Sequence, residues 1–146
     1  MKWYDIIHYL QIKSDPHKIF QAISTSPGLN AWWTETSSAE EKLGGKYDLI
    51  FEIDKYQWQA VCSAYEPDSV FELTLTVASE DWLDTKVRFE LEEAETHCDV
   101  RFFHTGWRES SPHFRISSYC WAMYLRLLKR YVEFGEIVDY ADRLEA

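Results

Sequence analysis

The chain has 146 residues and a formal net charge of −10, and 46% of its residues are hydrophobic. The negative charge repels phosphate backbones and argues against nucleic-acid binding, whereas the apolar content argues against intrinsic disorder. No apolar run reaches the roughly 18 residues that a membrane-spanning helix needs, so we expect no membrane span and a single domain over residues 1–146.

The N-terminal part of the sequence predicts one strand followed by two short helices. Apolar and polar residues alternate over residues 3–13, as in a half-buried strand. Asp15 and Pro16 then have the residue types of a helix cap and a first helical position. A second short helix is predicted over residues 27–33, after a break at Pro27.

Apolar residues of period two predict a meander of antiparallel strands through the middle of the chain. Gly44-Gly45 marks the turn before the first of these strands, Asp54-Lys55-Tyr56 the turn after it, and Pro67-Asp68 a later one. The predicted strands cover residues 47–53, 57–64, 71–77, 86–92 and 100–105.

A long helix over residues 110–135 is the strongest periodic signal in the sequence. Ser110 or Ser111 can cap it, Pro112 suits its first position, and Gly135 can end it in the left-handed conformation. Its apolar stripe, with polar groups beside it, consists of Phe114, Ser117, Ser118, Trp121, Tyr124, Leu125, Leu128 and Val132.

This order of elements predicts an α+β fold in which a curved antiparallel sheet wraps around the long C-terminal helix. The sheet has one apolar face, and the last helix is long enough to cover it. Ala60, Cys62 and Ala64 lie on the inward side of a central strand, where small side chains leave room. We therefore expect a cavity there, between the sheet and the helix.

The number and spacing of the cysteines indicate the cellular compartment of the protein. Cys62, Cys98 and Cys120 are odd in number and have no C-x-x-C spacing, which is typical of reduced structural thiols and not of a disulfide framework or a zinc site. The first residues do not have the pattern of a secretory signal. The sequence thus predicts a cytoplasmic protein without a metal or another cofactor.

Four stretches, residues 14–23, 27–33, 103–107 and 121–136, together resemble the START/Bet v 1-like helix-grip superfamily. Within it, they are similar to the branch named after the activator of Hsp90 ATPase. The resemblance implies about seven strands around the C-terminal helix and a deep apolar cavity between them. Members of the superfamily bind lipids, hormones or polyketide-like molecules, some are cyclases, and one branch docks on Hsp90.

Function by fold alone is an analogy, so three hypotheses stay open. The first is binding of a hydrophobic or aromatic small molecule without turnover. The second is a protein-interaction module of Hsp90 co-chaperone type, with a chaperone or another protein as partner, and the third is a cofactor-free cyclase or isomerase. The first predicts an enclosed cavity and the second an exposed apolar patch.

The predicted ligand-binding residues combine an aromatic wall, small residues of one strand, and a few polar groups that could orient a ligand. His104 is also the candidate general acid or base, although a structural histidine is the simpler interpretation. The sequence has no nucleophile elbow, zinc-protease motif or glycine-rich phosphate loop. The predicted set is Trp33, Phe51, Trp58, Ala60, Cys62, Phe71, Phe89, Phe102, His104, Ser117, Trp121, Tyr124, Leu125 and Leu128.

Overall fold

The computed structural model describes residues 3–52 and 55–145, and over these residues the predicted α+β helix-grip architecture is confirmed. The strands are β1 (Tyr4–Ile12), β2 (Thr36–Ala39), β3 (Lys46–Phe51), β4 (Tyr56–Glu66), β5 (Val70–Val77), β6 (Lys86–Glu93) and β7 (Cys98–Trp107). The helices are α1 (Pro16–Ser24), α2 (Ser26–Trp32) and α3 (Pro112–Phe134), followed by a 3-10 helix (Tyr140–Glu145).

The seven strands form one antiparallel sheet in the order β1-β7-β6-β5-β4-β3-β2. Consecutive strands from β2 to β7 are neighbours in the sheet. Strand β1 pairs with β7 and forms the edge opposite β2. The hydrophobic core lies between one face of this sheet and α3, and α1 and α2 pack against α3 beside it. Ile53 and Asp54, the predicted end of one strand and start of one turn, lie outside the described residues.

Local capping explains where the short helices begin. Asp15 Oδ1 accepts the Lys18 N–H at 2.9 Å, and Thr25 Oγ1 accepts the Gly28 N–H at 3.1 Å. Each bond satisfies a donor that lacks a partner in the first helical turn. Gly28 is needed for packing as well, because a Cβ there would lie 2.5 Å from the Gln21 carbonyl oxygen.

The long helix α3 begins and ends as the sequence predicts. Ser111 Oγ accepts the Phe114 N–H at 3.2 Å, and Gly135 takes the left-handed conformation with φ 69°. The buried residues of α3 are Ser117, Trp121, Leu125, Leu127, Leu128 and Val132. Leu127 lies outside the predicted stripe, and Phe114, which was predicted within it, is only half-buried.

Strand β2 is an element that the sequence interpretation missed. Its residues are Thr36-Ser37-Ser38-Ala39, at the edge of the sheet, where they pair with β3. Hydrophobic periodicity cannot mark this strand, because its half-buried side chains are small and Ser37 bonds to polar groups. The Ser37 Oγ lies 2.9 Å from Asn30 Oδ1.

None of the helices described over residues 3–52 and 55–145 has the length and apolar character of a membrane-spanning helix.

Candidate functional site

A cavity of about 440 Å³ lies beside the N-terminal half of α3. Its other walls are the start of β4, the segment that joins β5 to β6, and the 3-10 helix near the C-terminus. We call it the inner cavity. Its lining residues are Trp33, Phe51, Glu52, Tyr56, Trp58, Ser79, Trp82, His113, Ile116, Ser117, Cys120, Trp121, Tyr124, Tyr140 and Leu144.

Four tryptophans form a continuous wall of this cavity. Trp82 stacks on Trp121 with ring centroids 5.9 Å apart, and it lies 5.0 Å from Trp58. Trp33 lies 5.1 Å from Trp121 on the other side. Because the four side chains come from three different segments and from α3, the cavity forms only when the chain has folded.

The polar groups of the wall are few. The Ser79 Oγ is buried and has no hydrogen-bond partner among the described residues, which is uncommon for a buried hydroxyl. The Trp82 Nε1–H donates to Ser117 Oγ at 3.4 Å. Burial raises the pKa of Tyr124 to about 12, so that its phenol keeps its proton well above neutral pH. The wall therefore combines a mainly aromatic surface with hydroxyl groups and with the side chains of Glu52 and His113.

A second cavity of about 370 Å³ adjoins the first, and we call it the outer chamber. It shares Glu52, Tyr124, Tyr140 and Leu144 with the inner cavity, and it adds Glu35 and Ala141. The two spaces therefore meet at the 3-10 helix.

Arg143 fastens that 3-10 helix to the rest of the protein. Its guanidinium donates to the carbonyl oxygens of Val138, Thr34 and Asn30 at 2.9, 3.1 and 2.7 Å. Arg143 is only 3% exposed, and burial lowers its pKa. The Tyr140 hydroxyl adds a further link by accepting the Glu52 N–H at 3.1 Å.

His104 takes part in a directed chain of hydrogen bonds in the core. The Trp121 Nε1–H donates to His104 Nδ1 at 3.0 Å, and His104 Nε2 lies 2.8 Å from Thr85 Oγ1. The Thr85 hydroxyl donates to the Trp82 carbonyl oxygen at 2.6 Å. Because Nδ1 must accept, the proton belongs on Nε2, which donates to Thr85.

This geometry favours the structural interpretation of His104 over the catalytic one. Burial, with a smaller effect of His113, lowers the pKa of His104 to about 3, so the ring is neutral near pH 7. Both ring nitrogens are occupied, His104 is 0% exposed, and it is not among the lining residues of the inner cavity. A general base would need a nitrogen within reach of a substrate.

The structure divides the predicted ligand-binding residues into two groups. The residues that line the inner cavity are Trp33, Phe51, Trp58, Ser117, Trp121 and Tyr124. The residues that pack in the core and do not line the inner cavity are Ala60, Cys62, Phe71, Phe89, Phe102, His104, Leu125 and Leu128.

The inner cavity therefore does not lie over Ala60 and Cys62, where the sequence predicted a cavity. Ala60 is opposite Tyr47 and Leu75 on the neighbouring strands, and all three side chains are completely buried. The inner cavity begins at Trp58, one inward position earlier on β4.

Several lining residues were not predicted. Trp82 could have been predicted from the sequence. It follows Glu80 and Asp81 in a short polar segment, and tryptophan side chains are highly buried on average. Cys120 and Ile116 neighbour the predicted Trp121 and Ser117 on the helix. Tyr140 and Leu144 had no such signal, since they follow the last predicted element.

Comparison with known proteins defines the family. The sequence profile described as Activator of Hsp90 ATPase homolog 1-like protein matches residues 13–133. The chain belongs to this family. The match ends before the 3-10 helix, so the part of the cavity wall formed by Tyr140 and Leu144 lies outside the matched region. No curated protein matches the chain in sequence.

Several solved structures have the same fold as this chain. The Aha1 dimer from Colwellia psychrerythraea is 29% identical, with a TM-score of 0.81, and the alignment covers 91% of this chain and 98% of that one. A Mesorhizobium loti protein is 17% identical with a TM-score of 0.81, over 92% and 100% of the two chains. CalU16 from Micromonospora echinospora is 15% identical with a TM-score of 0.72, over 97% and 81%.

Proposed function

We propose that this member of the family binds an apolar or aromatic small molecule in the inner cavity without converting it. The observation that carries the proposal is a cavity of about 440 Å³ with four tryptophans in its wall and a buried Ser79 hydroxyl that has no hydrogen-bond partner in the described part of the chain. Small-molecule sites have this size, about 300 to 1,000 Å³, and combine apolar walls with a few polar groups.

The lack of turnover in this proposal rests on the position of His104, the acid–base candidate of the sequence. His104 is buried, neutral and fully bonded. His113 does line the inner cavity, with its Nδ1 3.0 Å from Asp81 Oδ2. That pair is the acid–base candidate if the cyclase or isomerase hypothesis is correct, and conversion of a bound compound that stops in His113→Gln would favour it.

The binding test uses 2-naphthol, a neutral aromatic probe with one hydroxyl group, in isothermal titration calorimetry. Saturating probe should also raise the stability of the protein, by about 2.7 kcal/mol at a hundredfold excess over its dissociation constant. Cys120→Trp places a large side chain in the inner cavity and should abolish both effects. Tyr119→Trp is the matched control, because Tyr119 is on the exposed face of the same helix.

The outcome that contradicts the proposal is equally defined. If 2-naphthol and a panel of neutral aromatic compounds give no heat and no stabilisation, the inner cavity is not a binding site. If binding survives in folded Cys120→Trp and also in Ile116→Trp, the site lies elsewhere.

A protein-interaction module is the second candidate. Membership of a family named after an Hsp90 activator favours it, as do the side chains of Ile7 and Tyr9 on β1, which are 62% and 57% exposed. Ile7 is paired with Phe103 of β7. Co-sedimentation with purified Hsp90 that is lost in Ile7→Asp, and kept in Cys120→Trp, would favour this role over ligand binding.

A further inference from the structure

The carboxylates that line the inner cavity and the outer chamber have no lysine or arginine beside them in the walls. Glu52 lines both spaces and Glu35 lines the outer chamber. Among the described lining residues of the two spaces there is no lysine or arginine, and the one histidine, His113, is paired with Asp81. Inside the two spaces, a ligand with a carboxylate or phosphate group would meet no lysine or arginine of the walls.

One ammonium group of the chain already lies at the rim. The Lys55 Nζ is 3.3 Å from Glu52 Oε2 and 5.3 Å from the centroid of the Tyr56 ring. Both Glu52 and Tyr56 line the inner cavity. The rim thus holds a primary ammonium between a carboxylate and an aromatic ring, which is the arrangement that recognises organic cations.

This internal pair is weak and can be replaced. The side chains of Lys55 and Glu52 are 63% and 49% exposed, and exposed ion pairs add little stability. A ligand ammonium that entered the cavity would lose more water and would meet several indole rings. Cation–π attraction is strongest for tryptophan and grows when the cation is desolvated.

A buried positive charge, that of Arg143, lies close to the two spaces but does not line them. Arg143 lies with its guanidinium 5.4 Å from the Tyr140 ring centroid, but it donates to three backbone carbonyl oxygens and is not among the lining residues of either space.

We propose that the ligand of this site is an organic cation, a substituted ammonium attached to an apolar or aromatic body. The ammonium lies between Glu52 and the aromatic rim, and the apolar body lies against the tryptophan wall. The inference rests on the proposed function, because it assumes that the inner cavity binds a small molecule. It adds the charge of that molecule and excludes anionic lipids and fatty acids.

The test compares probes of matched shape. Benzyltrimethylammonium and its uncharged carbon isostere neopentylbenzene differ only in the charged atom, and 3-phenylpropanoate supplies the opposite charge. Dissociation constants come from shifts of the tryptophan indole N–H signals in NMR titrations. We expect benzyltrimethylammonium to bind about tenfold more tightly than neopentylbenzene, and 3-phenylpropanoate not to bind.

Two variants should shift the affinity in opposite directions. Glu52→Gln keeps the shape of the side chain and should weaken benzyltrimethylammonium binding about tenfold, with no change for neopentylbenzene. Lys55→Gln removes the competing ammonium and should tighten benzyltrimethylammonium binding. Glu92→Gln is the control of equal charge change, because Glu92 pairs with Arg101 on β6 and β7 and lines neither space.

Each outcome is decisive. If neopentylbenzene binds as tightly as benzyltrimethylammonium, the charge inference is wrong while the proposed function stands. If 2-naphthol and all three of these probes fail to bind, the charge inference and the proposed function are both wrong. If Lys55→Gln weakens the binding of benzyltrimethylammonium, the ammonium of the ligand does not compete with Lys55 at the rim. If Glu92→Gln has the same effect as Glu52→Gln, Glu52 is not the partner of the ligand. Either result overturns the inference.

Discussion

The indole Nε1–H of Trp121 donates to the Nδ1 of His104 at 3.0 Å, deep between α3 and β7. This bond joins the wall of the inner cavity to the core of the sheet, because Trp121 lines the cavity and His104 does not. It also fixes the tautomer of the imidazole, since Nδ1 must be the acceptor. The position of a cavity residue therefore depends on a histidine that stays neutral.

The first prediction concerns the pH dependence of stability. The folded-state pKa of His104 is lowered to about 3, whereas an unfolded histidine titrates near 6.5. The stabilisation is thus complete above pH 6.5 and is lost as the pH falls, because only the unfolded state takes up the proton. Between pH 6 and pH 4, His104 should contribute a slope of about 1.4 kcal/mol per pH unit.

Urea denaturation of the wild type and of His104→Gln at several pH values measures that slope. Glutamine can both accept and donate a hydrogen bond but does not titrate, so the variant should show a shallower loss of stability in acid. Equal slopes in the two proteins would mean that the imidazole takes up its proton without unfolding.

The second prediction concerns Thr85, whose hydroxyl accepts from His104 and donates to the Trp82 carbonyl oxygen. Thr85→Val keeps the shape but leaves a buried N–H without a partner, so it should lower the free energy of unfolding by about 1 to 3 kcal/mol. Thr85→Ser keeps the hydroxyl and loses one methyl group, which should cost less than about 1 kcal/mol. Chemical denaturation compares them, and a valine variant as stable as the serine variant would contradict the prediction.

The third prediction tests the buried face of α3. Trp121→Ala and Leu128→Ala each remove a buried side chain and should lower the free energy of unfolding by about 2 to 5 kcal/mol. Arg126→Ala lies on the exposed face and should have little effect. Three variants of equal stability in chemical denaturation would mean that the helix packs through another face.

The fourth prediction separates local from global stability at the 3-10 helix. Arg143→Ala removes three hydrogen bonds to carbonyl oxygens, so the backbone near Tyr140 and Leu144 should exchange its amide protons faster. The sheet and α3 should keep their protection, because their contacts do not depend on Arg143.

Hydrogen exchange followed by mass spectrometry is the measurement for this variant. Arg108→Ala is its control, since Arg108 forms an exposed ion pair with Asp84 at 3.5 Å, away from the 3-10 helix. Faster exchange throughout the protein, or no change near Tyr140, would contradict the role given to Arg143.

The sequence predicted the fold well because its main elements carry strong local signals. Helix α3 has an apolar stripe and both caps, and the strands from β3 to β7 alternate clearly. Strand β2 was missed because its half-buried residues, Ser37 and Ala39, have small side chains. Its place in the sheet depends on contacts such as that of Ser37 with Asn30, which no periodicity encodes.

The cavity residues were harder to predict from the sequence than the fold. Alternation shows which side chains point inward, but not whether the inward space is filled. Phe89 and Phe102 point inward, with ring centroids 5.2 Å apart, and they fill the core instead of bounding the cavity. Conversely, Trp82 and Tyr140 line the cavity from segments without a periodic pattern, so their location depends on the tertiary structure.

The closeness of the indoles has an optical consequence. Trp33 is stacked on Trp32 with ring centroids 6.0 Å apart, and Trp82 lies 6.0 Å from Trp107, so the four tryptophans of the cavity wall extend into a network of six. Transition dipoles at such separations couple, and excitation absorbed by one ring passes to the others before it is emitted. The near-ultraviolet circular dichroism and the fluorescence of this protein should therefore behave as properties of the cluster and not as a sum of independent chromophores. A single quencher in the inner cavity would therefore lower the fluorescence of indole rings that it does not contact.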